Sequence, residues 1–291
     1  MKKSEFRIRD PFVLFDEGKY YMYGTTSFAD NGGCTRWSFD VYVSDNLEDF
    51  SGPYTVLEPR DGFFGKSDFW APEVHKYKGK FYMLATFKGE ESKNHGVGIL
   101  VADSPLGPFT PHSEMPITPK EWSALDGTLY IDESGEPYMV FCHEWWSMGE
   151  ECDGTMCYAR LSDDLTHFIT EPVTMFAASE SPFVRITSRG YGYITDGPCM
   201  YRTDTGELLM LWSSKGERGY MECIHRSSNG SLDGDFLPVS VLYADDGGHG
   251  MIFKSAEGEL LFTCHTPNTT GKERAAIFPL IDLGDDLLLK I

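Results

Sequence analysis

The stretch from Arg9 to Thr26, RDPFVLFDEGKYYMYGTT, holds two β-rich runs joined by the polar turn Glu17-Gly18-Lys19, and it reads as a hairpin. The same grammar returns in WAPEVHKYKGKFYMLATF (70–87), LDGTLYIDESGEPYMVFCH (125–143), TDGPCMYRTDTGELLMLWSS (195–214) and GGHGMIFKSAEGELLFTCH (247–265). The five turn glycines, Gly18, Gly79, Gly135, Gly206 and Gly258, stand at intervals of 61, 56, 71 and 52 residues. A repeat slightly longer than the roughly 40–50 residues of common propeller blades fits four-stranded blades with long loops. The expected fold is therefore all-β: a five-bladed β-propeller of antiparallel blades around a central channel, formed as one domain by residues 1–291 with no accessory domain.

A second motif supports the repeat. FDVYVS (39–44) reads as an outer strand followed by a turn that sends Phe50 back to the blade, and the pattern recurs in 99–109, 157–168 and 223–236. Residues 1–8 alternate like a half-buried strand, placed to complete the last blade and close the ring. Helical signals are weak, since 30 glycines and 16 prolines interrupt nearly every run of more than about ten residues. The insertion from His143 to Asp153, HEWWSMGEECD, is the most unusual loop, and its two tryptophans suit either a sugar face or a loop anchor.

A polar group stands near the start of each hairpin. Asp10 lies eight residues before its turn glycine, Asp126 nine, Asp196 ten and His249 nine, while the second copy carries Trp70 at nine and Glu73 at six. With first strands innermost, these starts converge on one end of the channel. Each aspartate alone reads equally as a turn former, before Pro11, Gly127 or Gly197. Their shared offset favours a common site. Three carboxylates in a confined place repel one another and lose solvation, which spreads their titrations and yields one ionised base beside one protonated acid. Hydrolysis of a glycosidic bond needs that pair. His249, among Gly247, Gly248 and Gly250, has room beside it for close backbone approach or a bound ion.

The formal charge of −20 opposes a nucleic-acid or anionic-membrane partner and suits a neutral substrate or a cation. Seven cysteines without CxxC spacing read as small core residues in a reducing compartment. MKKSEFRIRD lacks an apolar signal region, so a cytoplasmic location is expected.

Together RDPFVLF, FWAPEVHKYKGKFYM, LDGTLYIDE, TDGPCMYR and GGHGMIF resemble glycoside hydrolase family 43, over essentially the whole chain. The resemblance implies a five-bladed propeller enzyme of the β-xylosidase and α-L-arabinofuranosidase type, with inversion at the anomeric centre, an oligosaccharide substrate and no organic cofactor. It implies Asp10 as general base, Asp126 as the residue that orients the acid and tunes its pKa, and a calcium ion in the channel with His249 among its ligands. Where the family carries Glu-Gly-Pro, this chain has Asp196-Gly197-Pro198. Asp is one methylene shorter, and a reach error of about 1 Å costs on the order of a hundredfold in rate. Asp196 is the preferred general acid; Glu180 or Glu222 in its place, or a site that binds sugar without cleaving it, are the alternatives. Phe69, Trp70, His143 and Arg274 are candidate substrate contacts. The sugar, the linkage and the oligomeric state stay open.

Overall fold

The computed structural model describes residues 1–27, 37–90, 92–113, 116–144, 152–187 and 192–290. The tryptophans of the insertion after Glu144 lie outside the described residues.

Five sheets of four strands follow one another along the chain. Blade 1 contains β1 (Arg9–Asp16), β2 (Lys19–Thr25), β3 (Phe39–Ser44) and β4 (Phe50–Leu57). Blade 2 contains β5 (Gly65–Tyr77), β6 (Lys80–Gly89), β7 (His95–Ala102) and the short β8 (Thr110–Pro111). Blade 3 contains β9 (Ala124–Ile131), β10 (Pro137–His143), β11 (Thr155–Arg160) and β12 (Val173–Ala177). Blade 4 contains β13 (Asp196–Arg202), β14 (Leu208–Gly216), β15 (Gly219–Ser227) and β16 (Phe236–Tyr243). Blade 5 contains β17 (Gly248–Lys254), β18 (Leu260–Thr266), β19 (Arg274–Asp282) and β20 (Leu287–Leu289). Each blade is an antiparallel meander in sequence order, and each first strand packs beside its two counterparts, β1 against both β5 and β17. The expected five-bladed propeller is the fold.

The hairpin glycines sit where they do because of backbone conformation. All five have φ between +79° and +93°, and a Cβ at any of them would meet nothing within 4 Å. The left-handed turn, not lack of space, requires glycine.

Between blades both faces of a strand are covered. In β14, Leu208, Met210 and Trp212 face the blade 3 residues Val140, Cys142 and Met156, while Leu209 and Leu211 face Phe262 and Cys264 of blade 5. Period-two alternation thus yields an uninterrupted apolar run, buried on either side. Among the described residues six cysteines are free and mostly buried, as the core reading expects.

Ring closure departs from expectation. The outer strand of blade 5 is β20, supplied by Leu287–Leu289. The N-terminal segment instead lies on blade 1: Phe6 stacks on Tyr42 at 3.8 Å, and Met1 donates to the Phe50 carbonyl. Two large apolar residues, Phe6 and Ile8, gain more from this side-chain burial than from an edge pairing already taken by the C-terminal leucines.

Candidate active site

Every first strand carries a bulge near its start, where the register slips between Arg9 and Phe12, Trp70 and Glu73, Leu125 and Thr128, Asp196 and Cys199, and Gly248 and Met251. One residue in each bulge has positive φ: Asp10 (53°), Ala71 (44°), Asp126 (51°), Gly197 (46°) and His249 (51°). Pro or Gly follows in every case. Asp and His are among the non-glycine residues that tolerate this region best, and a bulge re-aims a side chain out of the sheet's alternation.

The bulge also removes a backbone N–H from the strand ladder, and the preceding blade receives it. Asp10 N donates to His265 Nδ1 at 3.2 Å, Ala71 N to Thr25 Oγ1 at 2.9 Å, Asp126 N to Thr86 Oγ1 at 2.9 Å and His249 N to Ser213 Oγ at 2.6 Å. These acceptors each lie seven residues after their hairpin glycine. In blade 3 that position is Cys142, and Gly197 N donates instead to Asp126 Oδ2 at 3.4 Å.

The result is a cluster around one nitrogen. His249 Nδ1 stands 3.3 Å from Asp10 Oδ1, 3.8 Å from Asp196 Oδ1 and 3.9 Å from Asp126 Oδ2. Asp10, Asp126 and His249 are nearly buried, at 8%, 5% and 8% exposure. All four line a cavity of about 370 Å³ with Trp37, Trp70, Asp68, Arg7 and Arg9. Segments 239 residues apart in sequence, Asp10 and His249, thus share one pocket.

Burial alone would raise the Asp10 carboxyl, but the His249 imidazole, the Arg9 guanidinium and the Thr25 hydroxyl outweigh it and hold it at about 2. Thr25 Oγ1 donates to Asp10 Oδ2 at 2.6 Å. Asp10 is therefore ionised and fixed. His265, pushed down to about 4 chiefly by burial, is neutral; its Nδ1 accepts from Asp10 N, and its Nε2–H faces Asn268 Oδ1 at 3.2 Å. Asp126 has the opposite character: burial and the carboxylates of Asp196 and Asp10 push it well above the ordinary range. Asp126 therefore holds its proton to a higher pH than an ordinary carboxyl does. Tyr220, kept protonated by burial and by Asp196, donates to Asp196 Oδ2 at 2.6 Å. One ionised carboxylate, Asp10, thus faces one that is pushed toward its protonated form, Asp126.

Two buried glutamates brace this arrangement. Glu144 Oε1 accepts from the backbone and hydroxyl of Thr195, immediately before Asp196. Glu222 Oε2 accepts from Ser213 Oγ at 2.6 Å and Gly250 N at 3.1 Å, so it holds the His249 bulge from behind. Neither Glu222 nor Glu180 replaces Asp196 at the cavity: Glu222 is fully buried beneath the bulge, and Glu180 is exposed at the end of a short 3₁₀ turn (Ala178–Glu180).

The substrate-contact expectations divide. Trp70 lines the cavity, its indole stacked on His95 at 4.7 Å. Phe69 does not; it is fully buried against Phe39, Phe63 and Phe87, because its side chain alternates to the opposite face of β5 from Trp70. His143 stacks flat on Trp122 at 3.9 Å and is outside the cavity lining. Arg274 donates to the carbonyls of Ser4 and Glu273. The arginines at the cavity are Arg7 and Arg9, which pair with buried Glu273 at 2.9 and 3.3 Å. Their signal was position: both flank the first bulge in RIRD, and Trp37 and Asp68 had none beyond residue type.

Asp126, Asp196 and His249 each present a donor atom within 4.8 Å of the others, a spacing that one cation can bridge. Calcium takes six to eight oxygens. Two carboxylates supply at most four, so water would complete its shell.

Comparison with known proteins places the chain in a family. Residues 4–280 match the family model of glycosyl hydrolases family 43. The structure superimposes on that of an endo-arabinase from Bacteroides thetaiotaomicron VPI-5482 with a TM-score of 0.89 and 38% identity, covering 98% of this chain and 99% of the other. A xylosidase/arabinosidase 43A from Humicola insolens is 27% identical over 56% of this chain, and a probable arabinan endo-1,5-α-L-arabinosidase A from Emericella nidulans is 34% identical over 47%. These matches span 58% and 42% of the two relatives' own lengths. The chain, with its carboxylates gathered at the mouth of a five-bladed ring, belongs to glycosyl hydrolase family 43.

Proposed function

We propose that the protein is an inverting glycosidase that removes terminal pentosides, α-L-arabinofuranosyl or β-D-xylosyl, from oligosaccharides. The observation that supports this reading is the meeting of Asp10, Asp126 and Asp196 at His249 Nδ1, with Asp10 ionised and Asp126 pushed toward its protonated form. In this scheme Asp10 takes a proton from water as that water attacks the anomeric carbon. Asp196 gives its proton to the departing glycosidic oxygen, and the bond from carbon to that oxygen breaks. Asp126 orients Asp196 and tunes it as the acid, while Tyr220 aims the Asp196 carboxyl.

Asp10 Oδ1 and Asp196 Oδ1 stand 3.3 and 3.8 Å from the same nitrogen, so they lie no more than about 7 Å apart, a bound that admits the lower part of the roughly 6.5–9.5 Å range of inverting enzymes. A calcium ion held by His249 with the neighbouring carboxylates would add positive charge to the acid cluster. Trp70 and Trp37 offer ring faces to the sugar, and Arg7 and Arg9 offer donors to its hydroxyls.

Hydrolysis of 4-nitrophenyl α-L-arabinofuranoside and β-D-xyloside, with the first-formed product anomer read by NMR, tests the reading. Turnover with inverted product supports it, and retained configuration replaces the mechanism. Cleavage of arabinan only at internal bonds replaces terminal attack with endo action, which the endo-arabinase relative keeps in view. The second reading, sugar binding without turnover, is motivated by the short side chain of Asp196; binding with no activity on any glycoside of the panel would establish it.

A further inference from the structure

Two of the three first strands that deliver acids to the axis also line a second cavity at the far end of the molecule. β9 carries Asp126 at its start and Tyr130 near its end, four residues on, roughly 13 Å away along a strand. β13 likewise begins at Asp196 and ends at Arg202. A cavity of about 400 Å³, as large as the catalytic one, opens between blades 3 and 4 at this end. Tyr130, Tyr138, Tyr158, Leu232 and Arg202 form its walls.

The three tyrosines share one face of one sheet. Tyr138 pairs directly with Tyr130, and Tyr158 pairs with Val140, two residues further along the same strand. The Tyr138 and Tyr158 rings are 6.2 Å apart at 60°, so they present two differently inclined faces. Tyr130 OH accepts from Arg202 Nη2 at 2.9 Å, and the rest of that guanidinium binds the Gly206 and Gly230 carbonyls, which makes Arg202 a fixed wall. The hydroxyls of Tyr138 and Tyr158 have no partner among the described residues.

Charge narrows the ligand. Asp132, Glu133 and Asp233 line the same cavity against the single guanidinium. An anion would be repelled. Inclined aromatic faces, free hydroxyls and rim carboxylates match a neutral polyhydroxylated ligand, whose C–H faces lie on rings and whose hydroxyls donate to carboxylates.

We propose that this cavity is a second, non-catalytic glycan-binding site, which holds a neutral oligosaccharide or a distant part of a longer chain at the end of the ring opposite the acids. The choice of glycan as ligand rests on the glycosidase reading; the site itself rests on its own residues.

Hydroxyl-radical footprinting of the full chain carrying Asp10→Asn, with and without arabino- and xylo-oligosaccharides, tests the assignment. At least threefold lower oxidation of Tyr138 and Tyr158, together with protection of Trp70, is expected. Protection of Trp70 alone overturns the second site and leaves the catalytic reading standing; protection of neither overturns both. Protection of the tyrosines by calcium alone assigns the cavity to a cation and overturns the glycan. With Tyr138→Ala and Tyr158→Ala in the otherwise unaltered enzyme, aryl pentoside hydrolysis is expected within twofold of the parent, while the ratio of polymer to aryl activity falls at least threefold. An unchanged ratio counts against the proposal.

Discussion

The blade 2 bulge and the blade 1 bulge are the same piece of backbone with different consequences. Ala71 and Asp10 both adopt positive φ, both precede proline, and both send their N–H to a side chain seven residues past the previous hairpin glycine. One ends in a methyl group and the other in a carboxylate at the cavity. The bulge therefore belongs to the architecture of the ring, and chemistry enters only through the residue placed on it. The two are also connected: Ala71 N donates to Thr25 Oγ1, which donates to Asp10 Oδ2, so the silent bulge orders the hydroxyl that fixes the base.

The largest effect follows from removing the chemistry while keeping the bulge. Asp10→Asn preserves a residue that accepts positive φ and is expected to lower kcat on aryl pentosides by about 10²–10⁴-fold, with the melting temperature within a few degrees of the parent. Ala71→Gly relaxes the equivalent backbone and is expected to leave kcat within twofold. Comparable losses in the two variants would mean that the bulge, and not the carboxylate, carries activity.

Next is the pH dependence of stability set by Glu222. Burial, opposed by the Ser213 and Gly250 hydrogen bonds, raises its carboxyl to about 8, against an ordinary 4.5. Between these values the folded protein holds a proton that the unfolded chain releases, so stability is full below about 4.5 and declines as pH rises toward 8. Glu222→Gln should match the parent at pH 5 and exceed it at pH 8.5, by an amount of order 2–4 kcal/mol at about 1.4 kcal/mol per pKa unit. Urea midpoints at the two pH values decide. The buried neutral histidines His225 and His265, both lowered to about 4, act in the opposite sense between 6.5 and 4, and the difference between variant and parent cancels them.

Thr25→Val breaks the link between the two bulges. It leaves Ala71 N–H and Asp10 Oδ2 without their partner, and an unsatisfied buried donor costs about 1–3 kcal/mol. A melting shift with a tenfold loss of kcat is expected. Thr25→Ser should restore both, since it returns the hydroxyl; failure of that rescue would show that Thr25 acts through its methyl packing.

Much of this was legible in the chain. The hairpin glycines mark a left-handed turn that few other residues tolerate, so their recurrence exposed five blades, and the offset of Asp10, Asp126, Asp196 and His249 exposed their convergence. Arg274 was misplaced because a charged residue's type says nothing of which way its long side chain lies; it turned to the Ser4 carbonyl, while Arg7, from the segment assigned to ring closure, and Arg9, at the head of the first hairpin, reached the cavity. Phe69 was misplaced because two adjacent aromatics on a strand must face opposite ways, and periodicity alone did not say which faced in. The acceptors Thr25, Thr86, Ser213 and His265 have a regular spacing in the sequence, but the spacing acquires meaning only once bulges are known to expel N–H groups.

Cys142 gives the smallest and most selective test of the comparison between interfaces. It holds the position that carries Thr, Thr, Ser or His in the other blades, and the bulge N–H opposite it, from Gly197, goes to Asp126 Oδ2 instead. That hydrogen bond favours the ionised form of Asp126 and opposes the burial that raises it. Cys142→Ser would offer Gly197 N–H a hydroxyl like those of the other interfaces and release Asp126 from the contact. Asp126 would then keep its proton to higher pH. The alkaline limb of the kcat/KM profile is expected to move upward by a fraction of a pH unit, with the maximum within threefold of the parent. A limb that stays put or moves downward would show that releasing the Gly197 contact does not raise Asp126, which leaves burial and the neighbouring carboxylates to set where it titrates.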